Sequence, residues 1–119
     1  MGKNFKDEFY KRLTDFSLSV VKFCSKVRKD RDLYRLADQF LRSGTSVGAN
    51  ITEAKACGTK KEYVRYFQIA LKSANESSYW LYLIKESSVS FREEAEKLSC
   101  ELKEISAIIA KGVKTMKGE

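Results

Sequence analysis

The sequence predicts an all-α protein, an up-down-up-down antiparallel four-helix bundle. Three observations lead there. Apolar residues recur by alternating steps of four and three through most of the chain. The chain has no Pro, and its Gly-containing and Ser-rich breaks fall between periodic segments. Its 119 residues, 43% hydrophobic and 33% charged, suit one domain spanning residues 1–119 with helices of about 24 residues. No strand-like alternation or internal repeat competes.

The first helix is expected over about 4–28. Phe9, Leu13, Phe16, Val20, Phe23 and Val27 share one side, with Asp7 and Glu8 near its start and Lys26, Arg28 and Lys29 near its end. The second is expected over about 31–56, on Leu33, Leu36, Phe40, Gly44, Val47, Ile51 and Ala54. Gly44 falls on the stripe and Gly48 beside it. A continuous helix then puts a neighbouring helix close against them; a kink is the alternative. Cys57-Gly58 closes this helix, with Gly58 as a left-handed cap.

Thr59-Lys60-Lys61-Glu62 has the form of a capping box and opens the third helix, 59–86. Its stripe is Phe67, Ala70, Ala74, Leu81 and Ile84, with Ser77 in the gap. A second box, Ser90 to Glu93, opens the fourth helix, 90–116. There Phe91, Ala95, Leu98, Leu102, Ile105, Ile109, Gly112 and Met116 repeat the stepping. The mean period of 3.5 implies left-handed, coiled-coil-like packing.

The third helix is apolar on more than one side. Tyr66, Ile69, Trp80 and Leu83 form a ridge beside the core stripe, with Tyr79 and Tyr82 nearby. Such a ridge is either a broad core stripe or an oligomer interface; self-association is the preferred reading. On the second helix, Gln39, Arg42, Ser46, Asn50 and Glu53 form a polar ridge flanking the apolar one. Pairing the second and third helices antiparallel predicts an Arg42–Glu76 ion pair near Ser73. It also predicts an Asn50 side chain bonded across the pair, and Glu53 near Glu62 and Arg65. Such a ridge fixes helix register.

The chain has no His, which removes the commonest general base and metal ligand. Paired carboxylates at Glu53, Glu62 and Glu76 lack the Glu-x-x-His motifs of di-metal bundles. No phosphate-cradling Gly-rich loop is present. Neither catalysis, a cofactor nor a metal is expected. The three cysteines, Cys24, Cys57 and Cys100, read as reduced thiols. No apolar run approaches a membrane span and no secretory leader is apparent, so a cytoplasmic protein with no membrane partner is expected.

The net charge is +7, and residues 1–31 carry +5 of it while 59–86 carry +2. Lys26, Arg28 and Lys29 gather near the first turn; Lys55, Lys60, Lys61 and Arg65 gather near the second. The two clusters should sit at opposite ends of the bundle. They are the candidate contacts for an RNA or DNA phosphate backbone, Lys60, Lys61 and Arg65 foremost. The plainer alternative is that the charge serves solubility alone.

The run Arg42-Ser-Gly-Thr-Ser46-Val47-Gly48-Ala49-Asn50-Ile51-Thr52-Glu53 carries a resemblance. So do Lys60-Lys61-Glu62, Phe67 and Ile69-Ala70-Leu71-Lys72-Ser73-Ala74-Asn75-Glu76. Together they resemble the bacterial four helix bundle protein family, most strongly from Leu36 to Ile84. Its members are encoded within intervening sequences of the large ribosomal RNA gene, and some carry a ribosomal-protein label. A related branch is the accessory variability protein of diversity-generating retroelements. The resemblance implies a homopentameric barrel and, in the retroelement branch, binding of a reverse transcriptase and nucleic acid. Arg42, Ser46, Asn50, Glu53, Ser73 and Glu76 match the family's recurrent positions. The chain departs from the pattern with Gly48 where Pro is usual and Ala54 where Gly is usual; the first change should leave the second helix straight.

Three functions follow as expectations. The first is a non-enzymatic oligomeric bundle acting as a nucleic-acid-binding or ribonucleoprotein accessory factor. The second is a protein-interaction scaffold with no nucleic-acid role. The third, least favoured, is an enzyme.

Overall fold

A computed structural model describes residues 2–118. It contains α1 (Gly2–Val27), α2 (Tyr34–Ala56), α3 (Lys60–Ser87) and α4 (Val89–Lys117). Successive helices are antiparallel neighbours, and α1 closes the bundle against α4. The molecule measures 45 × 24 × 23 Å, its long axis matching a helix of 28 residues at about 1.5 Å per residue.

The expected stripes form the core. Val20, Phe23, Phe40, Ile51, Leu81, Ile84, Leu102, Ile105 and Ile109 are fully buried. Phe23 meets Phe40 at 6.1 Å and Phe91 at 6.0 Å, both edge-on, which ties α1, α2 and α4 together near the α1–α2 turn. Each such ring pair adds about 0.5–1.5 kcal/mol beyond area burial.

Helix α2 runs unbroken through both glycines. A Cβ on Gly44 would stand 3.0 Å from Val20 Cγ1, and one on Gly48 3.1 Å from Ser17 Oγ. The missing side chains therefore admit α1 against α2. Arg12 then fastens α1 to α4: its Nε and Nη2 donate to both Glu101 oxygens at 2.7 Å, and Nη2 also reaches Glu104 at 2.8 Å.

Three local expectations are corrected. Helix α2 begins at Tyr34 rather than near residue 31. The Asp30 carboxylate accepts from the Asp32 N–H at 2.9 Å and holds the intervening residues in a turn. Gly58 is not a left-handed cap; among the described residues it is Gly118, after α4, that has positive φ. Helix α2 instead ends on an extended Cys57 whose N–H bonds the Ala54 carbonyl. The Ser90 box does not cap α4, which already starts at Val89 after an extended Ser88. The Thr59 box does cap α3, its side chain accepting from the Glu62 N–H at 3.2 Å. The other boundaries lie within two residues of those expected, inside the normal ambiguity of helix ends.

Candidate functional site

The polar ridge is a seam between α2 and α3. Arg42 donates to Glu76, as the spacing requires, and Glu76 also accepts from the Trp80 indole N–H at 2.8 Å. The Trp80 and Arg42 donors together pull the Glu76 carboxyl below its ordinary value. Ser73 donates to Ser46 at 3.0 Å; the buried Ser77 hydroxyl shares its donor between the buried Ser43 Oγ at 2.9 Å and the Ser73 carbonyl at 2.7 Å, and Ser43 donates to the Gln39 carbonyl at 3.0 Å.

Asn50 does not cross to α3. Its amide donates to the Ser46 carbonyl at 2.8 Å and the Ser46 hydroxyl at 2.9 Å, within α2. The three cross-helix pairs set a register about one turn from the expected one, so that Asn50 does not stand opposite Arg65 and Tyr66. Glu53 is exposed and forms no ion pair with Arg65 among the described residues. The seam is thus a set of satisfied bonds that fixes register. Among the described residues no group of three His, Cys, Asp or Glu side chains converges as metal ligands do.

The ridge expected as an oligomer interface divides. Tyr66 and Trp80 are half-buried and pack on the chain's own core, while Ile69 and Leu83 are half-buried beside them. The aromatics that α3 leaves in solvent are Tyr79 and Tyr82, 58% and 55% exposed. On α1, Leu18 and Val21 are exposed too.

The cations separate more sharply. At the α1–α2 end, Lys26 pairs with Glu94 at 2.6 Å and Arg28 with Asp38 at 2.7 Å, so two of the three candidates there are neutralised; Lys29 is exposed. At the α2–α3 end, antiparallel packing collects the start of α1, the turn after α2, the start of α3 and the end of α4. Lys55 lies 4.0 Å from the centre of the Tyr10 ring, binding α2 to α1 by a cation–π contact. Lys60, Lys61 and Arg65 are exposed, and none has an acidic partner among the described residues.

The same pole receives four lysines outside the expected set: Lys6 from α1 and Lys111, Lys114 and Lys117 from α4. They too form no ion pair among the described residues. Counted whole, residues 87–119 are neutral, which hides them. The acids of this stretch, the terminal residue apart, stop at Glu104, and its last three cations all follow Ile109. Dividing α4 at its middle is the signal that finds them.

Between α1, α3 and α4 at this pole lies an open cavity of about 510 Å³. Phe5, Tyr10, Tyr63 and Phe67 line it, and Lys6 and Lys111 stand at its edge. Burial, with the Tyr63 hydroxyl close by, pushes the Tyr10 phenol up to about 12.

This is a register-locked four-helix bundle whose α2–α3 end carries an excess of cations over its acids Asp7, Glu8, Glu53 and Glu62. Residues 6–111 match the family described as 23S rRNA-intervening sequence protein, and the chain belongs to that family. A solved structure from Bacteroides thetaiotaomicron, of a protein of unknown function from the S23 ribosomal protein family, is 30% identical. The match covers 89% of this chain and 98% of that one, with a TM-score of 0.83. No curated protein matches the chain.

Proposed function

We propose that the chain is a non-enzymatic, self-associating bundle that holds nucleic-acid phosphates on its α2–α3 pole as a ribonucleoprotein accessory factor. The observation that carries this is the gathering of Lys6, Lys60, Lys61, Arg65, Lys111, Lys114 and Lys117 at one end, without acidic partners among the described residues. Lysines and arginines so placed bind phosphates through counterion release and read no base sequence. The intervening-sequence family supports an RNA context. The pentamer implied by the resemblance would repeat the pole around one rim and strengthen its field.

The test is a salt-titrated RNA-binding assay on protein whose mass has been fixed by sedimentation. A multiple of 13.6 kDa with affinity falling steeply as salt rises is the expected result. A well-folded protein with no affinity at low salt refutes the reading. The second reading, a protein-interaction scaffold, rests on the exposed Tyr79 and Tyr82 of α3. A monomer that binds no nucleic acid favours it.

A further inference from the structure

We propose that the aromatic cavity at the basic pole takes an unstacked base, so that the ligand is single-stranded rather than duplex nucleic acid. This rests on the reading of that pole as a phosphate-binding surface. Three features converge on it.

The first is composition. Phe5, Phe9, Tyr10, Tyr63 and Phe67 line it together with the apolar Ile108 and Met116, and Tyr63 and Phe67 already stack at 4.9 Å between centres, 27° from parallel. Every base has a π-face, so such walls accept any base without reading its edge. The second is access. Phe5 is 57% exposed although it belongs to an otherwise apolar wall, so its ring is available to a ligand. The volume falls inside the range of roughly 300–1,000 Å³ usual for ligand sites.

The third is charge. Lys6 and Lys111 line the cavity from different helices, α1 and α4. A base inserted among the rings leaves its sugar-phosphate chain running out over these ammonium groups. An apolar slot edged by cations matches a flat apolar ring joined to an anion. A duplex presents the phosphates but keeps its bases stacked, and so reaches only the lysines.

The experiment uses the full chain and two labelled probes of about 16 nucleotides: single-stranded oligouridylate with one central 2-aminopurine, and an RNA duplex of equal length. Tighter binding of the single strand is expected, with 2-aminopurine emission quenched on binding. Phe5→Ala removes an exposed ring and should leave the fold intact. It is expected to weaken single-strand binding roughly 5- to 160-fold, the range of one lost stacking contact. Duplex affinity and the salt dependence of both should stay unchanged. Tyr63→Leu, which keeps the apolar volume, should act in the same direction.

Equal affinity for both probes with unquenched 2-aminopurine overturns the inference and leaves the basic pole standing. An equal loss on both probes in Phe5→Ala overturns it as well. Failure of the wild-type chain to bind either probe at low salt removes the pole and the inference together.

Discussion

Alanine at Gly44 and alanine at Gly48 should shift stability in opposite directions. Both sit inside α2, where replacing Gly gains about 1 kcal/mol of helix propensity. What the new Cβ meets differs. At Gly44 it lands 3.0 and 3.3 Å from the two methyl carbons of Val20. Val20 is fully buried and branched at Cβ, so it has no free rotamer into which to retreat. Overpacking of this kind costs about 1–3 kcal/mol. Taking about 2 kcal/mol against the propensity gain leaves Gly44→Ala destabilised by about 1 kcal/mol, a fall of roughly 4 °C in Tm. At Gly48 the nearest atom is the Ser17 hydroxyl oxygen at 3.1 Å, on a half-buried side chain that can rotate. Gly48→Ala should therefore keep most of its gain and raise Tm by up to about 4 °C. Thermal melts by circular dichroism at fixed protein concentration read both. In Gly44→Ala, adding Val20→Ala should cost less than the two separate losses together, by about 1 kcal/mol or more. If Gly44→Ala stabilises as much as Gly48→Ala, helix α1 does not press on α2 at Val20 and the reasoning fails.

Three further outcomes follow from the seam and the core. Ser77→Ala removes the buried hydroxyl that bonds Ser43 and the Ser73 carbonyl but leaves Ser43 bonded to the Gln39 carbonyl, so a loss of about 1 kcal/mol is expected in urea melts. Ser77→Val, which adds volume at a fully buried position, should cost more. Glu76 has a folded pKa held below its unfolded value, so its contribution is present above the unfolded pKa and is lost as pH falls through the folded one. The midpoint of urea unfolding should therefore decline less on acidification in Glu76→Gln than in wild type. Burial pushes the Cys24 thiol up to about 12, while Cys100 is exposed. Under native conditions iodoacetamide should label Cys100 readily and Cys24 only after denaturant is added, as peptide mapping would show.

The helices were legible because apolar residues recur by steps of four and three, unbroken in α1 and α4, where Phe9 to Val27 and Ala95 to Ile109 are buried as that stepping requires. Arg42 and Glu76 were legible as a pair because antiparallel pairing about one turn leaves few choices. Asn50 was not. A shift in register of about one turn decides which residues of α3 it faces, and stripes alone do not fix register that finely. Ser77 looked like a gap in an apolar stripe, yet it bonds the buried Ser43, which the sequence did not single out, inside the seam. Two half-buried side chains of α3, Tyr66 and Trp80, belong partly to the chain's own core because α3 has broad neighbours on both sides. The basic pole was half legible. Lys60, Lys61 and Arg65 follow one turn, but Lys6 and Lys111 to Lys117 join them only when α1 and α4 are folded back to the same end.

The most direct test compares the two ends of the bundle in one salt-titrated RNA-binding experiment. Lys60→Ala/Lys61→Ala neutralises the α2–α3 pole, and Lys22→Ala/Lys29→Ala removes the same charge from α1 and the turn after it. The first should weaken binding and flatten the log–log salt slope by about 1.4, two phosphate contacts at roughly 0.7 each for a single strand. The second should leave the slope near that of wild type. Equal losses from the two pairs would mean that total charge, and not the pole the fold assembles, is what the nucleic acid meets.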